Sequence, residues 1–163
     1  IRSYLEAVLS RAMGAAAVRA AALAVAAPVR RARIEFTNSS WTFDTEALRA
    51  ALGLQRLVVL NDFEALALSL PALPAASLRV LKPGAPDPAA PCVVLGPGTG
   101  LGVAGLLPAL PGGPLASVRV LASQGGHVGF APVDDIEIDL LRFMQARVGR
   151  VSAEHLLSGR GLV

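Results

Sequence analysis

The sequence predicts a mixed α/β protein, and three observations carry that prediction. Short apolar runs such as Arg56-Leu57-Val58-Val59-Leu60 and Cys92-Val93-Val94-Leu95 are rich in β-branched residues and are bounded by polar residues, glycine or proline. Between and after them lie segments with helical spacing, most plainly Asp135 to Val148. Hydrophobic content is 53% and charged content 17%, enough apolar material for a packed core and far from the composition of a disordered chain.

The elements follow in order. Ser3 to Met13 has the spacing of an amphipathic helix, with Tyr4, Leu5, Val8, Leu9 and Met13 on one side. Ala21 to Ala27 reads as a buried strand ending at Pro28, and Arg33 to Phe36 as the strand returning from it in a hairpin. Thr37 to Trp41 is a polar loop with the sole tryptophan. Asp44 is placed to cap a short helix with Leu48 and Leu52 inward and Gly53 as its stop. The strand Leu57 to Leu60 runs into Asn61-Asp62, and a helix from Phe63 to Leu70 is ended by Pro71 and Pro74.

Pro83 to Pro91 is a proline-rich loop. Strands are expected at Cys92 to Leu95, then after the glycine loop Gly96 to Gly102 as far as Leu106, and at Val118 to Leu121, which feeds the turn Ser123 to His127. Ile136, Leu140, Leu141 and Met144 form the apolar stripe of the helix that Gly149 ends. Ser152 caps a last helix, Ala153 to Leu157. A boundary near Pro71–Pro74 divides the chain into 1–72 and 73–163.

Composition excludes several classes. The stretch Pro88 to Val118 carries no charge, yet glycine and proline break it throughout, so it is expected to form buried strands with tight loops and no membrane span. A single cysteine, Cys92, builds neither a disulfide framework nor a cysteine metal site, which agrees with a cytoplasmic location. No signal-peptide pattern opens the chain. Net charge is +3, almost all of the positive charge is arginine, and Lys82 is the sole lysine. Arg30, Arg31 and Arg33 cluster without interleaved aromatics, the pattern of a solvated hairpin face and not of a nucleic-acid surface. The chain starts without methionine and stops just after Gly161-Leu162-Val163, as expected of part of a larger protein.

Four groups of residues carry candidate chemistry. Asn61-Asp62 ends a strand, and the carboxyl edge of an open α/β sheet is where ligands bind. There an aspartate can take a proton from a substrate hydroxyl while the amide orients it; the same pair also serves as a turn or a helix cap. Gly96 to Gly102 is either a tight β-hairpin or a backbone cradle for phosphate, with Thr99 adding a hydroxyl. Gly100 to Gly105 has dinucleotide-motif spacing, but no helix pattern follows and no acidic residue lies about twenty positions on; a Walker loop lacks its lysine. Gln124-Gly125-Gly126-His127 turns a strand end so that an imidazole can meet a sugar hydroxyl or a phosphate, or simply bond the backbone. Glu154 suits the first turn of its helix, and as a carboxylate it can also accept bonds from a polyol.

These stretches resemble the bacterial glucokinases of the hexokinase/actin-like superfamily. The resemblance rests on Thr37-Asn38-Ser39-Ser40-Trp41, Leu60-Asn61-Asp62-Phe63, Gly96 to Val103, Gln124 to His127 with Phe130-Ala131-Pro132, and Val151-Ser152-Ala153-Glu154 with Leu157-Ser158-Gly159, in family order across nearly the whole chain. It implies an actin-like ATPase (ribonuclease H-like) fold of two lobes around a cleft, with 1–72 part of the smaller lobe and 73–163 the first part of the larger. It implies ATP-dependent phosphorylation of the glucose 6-hydroxyl with Mg²⁺, and it leaves a homodimer open. Asp62 would be the general base. Asn38, Asn61, Asp62, Gln124, His127 and Glu154 would bind glucose, and Gly98, Thr99 and Gly100 would lie in the second phosphate loop. A sugar-binding regulator of the same fold is the competing reading.

The sequence departs from the family pattern at Gln124, where a glutamate is usual, and at Gly129, where an aspartate is common. The family's N-terminal phosphate loop and its adenosine-binding segment are also not found, so this stretch alone is expected to be inactive.

Overall fold

The computed structural model describes residues 18–29, 32–36, 40–108, 118–159 and 161–162. The helix expected at Ser3 to Met13 lies outside the described residues, as do Asn38, Arg30 and Arg31. Two compact units are present, Ile1–Ala65 and Leu66–Val163.

In the first unit, strand β1 (Ala20–Val25) pairs in parallel with β4 (Arg56–Asn61), from Ala20 opposite Arg56 to Val25 opposite Asn61. Between them come β2 (Arg33–Glu35), β3 (Thr42–Asp44) and helix α1 (Thr45–Ala51). The hairpin expected between Ala21–Ala27 and Arg33–Phe36 is corrected here: β2 turns back on β3, with Ile34 opposite Phe43. The physical reason is patterning. Arg33-Ile34-Glu35 alternates, so one face is buried and the other charged, which suits an antiparallel hairpin; the unbroken apolar run of β1 suits a parallel partner. Ile34 is fully buried and joins Val25 and Ala27 in a core that Val29, Phe36, Phe43 and Val59 flank. Phe36 stacks on Trp41 at 5.1 Å between ring centroids.

Asp44 caps α1 as expected, its Oδ1 accepting the N–H groups of Glu46 and Ala47, both at 2.9 Å. Glu46 forks onto Arg49 in the same helix, which lowers the Glu46 pKa through that hydrogen bond. Gly53, at φ +67°, turns the chain out of α1 toward β4. Helix α2 (Asp62–Ser69) begins as soon as β4 ends.

In the second unit, β5 (Cys92–Pro97), β6 (Leu101–Leu107) and β7 (Arg119–Ser123) form an antiparallel sheet in that order. Among the described residues, the expectation that the charge-free run is buried holds only for β6, where Ala104 and Leu106 are buried. On β5, Val93 and Leu95 are each 64% exposed. β6 is flanked on both sides, whereas β5 is an edge strand of this sheet. Helix α3 (Asp135–Val148) has the expected bounds and ends at Gly149, φ +71°. Its expected stripe is corrected: Ile136 is 80% exposed and Leu140 is also exposed, while Ile138, Leu141 and Met144 are half-buried. Helix α4 (Ala153–Leu157) closes the unit. No helix among the described residues is long and apolar enough to cross a membrane.

Candidate active site

Asn61 ends β4 and Asp62 opens α2, so the pair stands where a parallel strand hands over to a helix. Asn61 caps that helix: its Oδ1 accepts the Phe63 N–H at 3.0 Å, and Glu64 Oε2 reaches back to the Asn61 N–H at 3.1 Å. The Asn61 amide has a second task. Its Nδ2 donates to Asp62 Oδ1 at 2.9 Å, and the Phe63 N–H also lies 3.0 Å from that oxygen. One carboxylate oxygen is therefore held on two sides, which fixes the rotamer. Oδ2 has no hydrogen bond among the described residues, and Asp62 is exposed. The helix cap and the fixed carboxylate thus share one geometry.

In the second unit the glycine loop is a hairpin whose tip is Gly98-Thr99-Gly100. Gly98 N–H donates to Gly100 O at 2.7 Å, and Gly98 O accepts the Gly159 N–H at 2.8 Å, which ties the tip to the end of α4. Glu154 ties it from the start of the same helix, its Oε2 accepting the Leu101 N–H at 2.9 Å. A Cβ on Gly100 would stand 2.5 Å from that carboxylate oxygen, so glycine is what lets Glu154 lie over the tip. The N–H groups of Thr99 and Gly100 are unbonded among the described residues, and Thr99 is exposed.

The turn Gly125–His127 is a short 3₁₀ segment pressed onto β6. Gly126 is buried, and a Cβ there would overlap the Leu101 carbonyl. After the turn the chain pairs with the approach to α4: Ala153 N–H donates to Val128 O at 2.9 Å, Phe130 N–H to Val151 O at 3.1 Å, and Gly129 and Ser152 form an antiparallel bridge. That pairing closes the long excursion through α3 and sets His127 Nδ1 3.6 Å from Glu154 Oε1. Arg150 Nη2 donates to His127 O at 2.7 Å and steadies the turn. The result is a carboxylate and an imidazole side by side near the tip of the glycine hairpin, an acceptor and a donor for neighbouring hydroxyls. Gln124 is exposed, and its carbonyl accepts the His127 N–H at 2.9 Å.

The family model described as Glucokinase matches residues 1–163, the whole chain. The chain belongs to the glucokinase family. It is 48% identical over 161 residues to the glucokinase of Marinobacter nauticus, covering 99% of this chain and 47% of that protein. The crystal structure of a glucokinase from an Antarctic psychrotroph superposes with a TM-score of 0.83 at 34% identity, over 99% of this chain and 48% of the other. A glucokinase from Balamuthia mandrillaris, solved in complex with glucose, gives a TM-score of 0.63 at 25% identity, over 99% of this chain and 50% of the other. The chain thus spans about half the length of the curated relatives it matches.

The glucokinase family implies ATP. The hairpin tip fits one part of that requirement, since two adjacent unbonded N–H groups and a hydroxyl suit phosphate oxygens. Mg²⁺ is less well served. No group of three or more His, Cys, Asp or Glu side chains among the described residues could hold a metal ion. Two features escaped the sequence reading: in the first unit the reciprocal Asn61–Glu64 cap, legible as Asn-x-x-Glu, and in the second the bond from the Ser152 N–H to His155 Nδ1 at 3.0 Å, which puts histidine where a capping box has glutamate or glutamine.

Proposed function

We propose that the whole protein transfers the γ-phosphoryl group of ATP to the 6-hydroxyl of glucose. The single observation that carries the mechanism is the Asp62 carboxylate, held through Oδ1 by Asn61 and open at Oδ2. As the 6-oxygen bonds to phosphorus, its O–H bond breaks and the proton passes to Asp62 Oδ2. ATP supplies the phosphoryl group, with ADP leaving as the old P–O bond breaks. Phosphoryl transfer of this kind depends mainly on positioning and electrostatics. The Asn61 amide supplies positioning by keeping the carboxylate in one rotamer.

Glu154 and His127 bind sugar hydroxyls in this reading, the carboxylate accepting and the imidazole donating. Asn38, Asn61 and Gln124 complete the sugar-binding set, Gln124 with an uncharged acceptor. Thr99 and Gly100 bind phosphate through their backbone N–H groups and the Thr99 hydroxyl, while Gly98 shapes the tip through its bond to the Gly100 carbonyl, and Mg²⁺ would enter with ATP. The reading takes 1–72 and 73–163 as the portions of the smaller and larger lobes, and the cytoplasm as the location. A regulator of the same fold would bind sugar without this proton acceptor having any use.

The test is a coupled assay for glucose 6-phosphate with the full-length protein, glucose and MgATP. ATP-dependent product is expected. No product above a no-enzyme control, with the protein folded, would reject the assignment.

A further inference from the structure

We propose that His155 is a positioning residue for sugar binding, and that it acts only in its neutral form. The proposal rests on the reading of Glu154 as a sugar ligand.

The argument starts from a buried donor. Ser152 is 2% exposed, and it sits in an antiparallel bridge with Gly129. The ladder bonds flanking that bridge are Phe130 N–H to Val151 O and Ala153 N–H to Val128 O, and neither uses the Ser152 N–H. That N–H goes to His155 Nδ1 at 3.0 Å. The Ser152 hydroxyl lies 3.2 Å from the same nitrogen. Since a backbone N–H can only donate, Nδ1 must accept, so the ring proton is on Nε2.

An imidazolium carries protons on both nitrogens and cannot accept. Protonating His155 therefore leaves the Ser152 N–H unpartnered and sets N–H against N–H at the mouth of α4. Glu154 is the neighbouring residue in that first turn, and it is the side chain that reaches both Leu101 N–H and His127. Loosening the turn loosens the carboxylate. The last helix is only Ala153–Leu157, so it has little internal hydrogen bonding to hold it without its cap.

The ionisable groups around His155 are few among the described residues. The 3₁₀ turn packed on α4 brings His127, and β6, also packed on it, brings none. Glu154 and Arg150 lie on the same stretch of chain, with Arg150 bonded to the His127 carbonyl. His127 is thus the other imidazole to separate. Because the imidazolium cannot accept the Ser152 N–H, the expected effect is a glucose KM that rises as pH falls.

The experiment uses the full-length protein and measures glucose KM and kcat from about pH 5.5 to 8 for wild type, H155Q, H155A and E154A. H155Q keeps an oxygen acceptor at the capping position and removes the titration. The expected result is that H155A raises glucose KM about ten-fold at pH 8, the size of one lost hydrogen bond, with kcat within about two-fold. H155Q restores the pH 8 value and shows a smaller rise toward pH 5.5 than wild type. Any titration of His127 is common to both profiles and cancels in their ratio. Superimposable wild-type and H155Q profiles would overturn the proposal, as would an H155A enzyme with wild-type KM. An E154A enzyme with unchanged glucose KM would instead sink the reading of Glu154 on which the proposal stands. Should H155A fold poorly, the wild-type to H155Q ratio alone decides.

Discussion

Glu154 Oε2 accepts the backbone N–H of Leu101 at 2.9 Å, joining residues 53 apart in sequence. The carboxylate proposed to bind sugar therefore also braces the hairpin proposed to bind phosphate. Substrate binding and loop geometry share one side chain, and its variants should show both effects.

Glu154→Gln keeps an oxygen for the Leu101 N–H and loses the charge. Glucose KM is expected to rise by about ten- to a hundred-fold, corresponding to one charge-assisted hydrogen bond of about 1.5–3 kcal/mol, with ATP KM little changed. Glu154→Ala removes the brace as well, so ATP KM should rise too. Steady-state kinetics on both substrates checks this; an ATP KM unmoved in Glu154→Ala would show that the brace is idle.

Asp62→Asn should lower kcat by about 10²–10⁴ with a modest change in glucose KM, because the amide keeps a hydrogen-bonding oxygen but cannot take the proton. Unchanged kcat removes Asp62 as the base. Asn61→Ala should act on two levels, lowering stability by about 0.5–2 kcal/mol through the lost helix cap and lowering kcat through the freed carboxylate. A chemical-denaturation curve measured beside the kinetics separates the two.

Thr99→Ala removes the hydroxyl at the hairpin tip and leaves its backbone N–H groups. ATP KM is expected to rise by about two- to ten-fold, the worth of one neutral hydrogen bond, while glucose KM stays put. A change confined to glucose would move Thr99 out of the phosphate site.

Two glycines in one segment should behave oppositely. Gly126→Ala puts a Cβ into the Leu101 carbonyl, and since backbone must shift, the cost is expected to be about 1–3 kcal/mol, with weakened sugar binding as His127 is displaced. Gly129 has nothing within 4 Å of its would-be Cβ and no positive φ, so Gly129→Ala should stay within about 0.5 kcal/mol of wild type. Thermal melts of the pair test the close approach directly.

Much of this was legible from local pattern. Asp44 before an apolar-periodic stretch and Gly53 after it gave α1 its ends, and Gly149 did so for α3. The pairing of strands was not legible. β2 was expected to return on the strand before it, yet it closes on Thr42–Asp44, a three-residue strand too short to leave a periodic signal. The inward face of α3 was misjudged because Ile136 is apolar and yet 80% exposed: helical spacing reports which residues share a face, not which face is covered.

By itself the sequence determined which residues could do chemistry and in what local setting: a carboxylate after a strand, glycines at a hairpin tip, a histidine on a turn, a glutamate in a first helical turn. Local settings are written in neighbouring residues, because capping, turns and periodicity act over a few positions. Only the tertiary structure decided that Glu154 meets His127 and Leu101, that Gly126 must be glycine, and that His155 holds a buried N–H. Those contacts form because Val128–Phe130 pairs with Val151–Ala153 after the whole of α3 has intervened, and no short-range pattern encodes the closure of so long a loop.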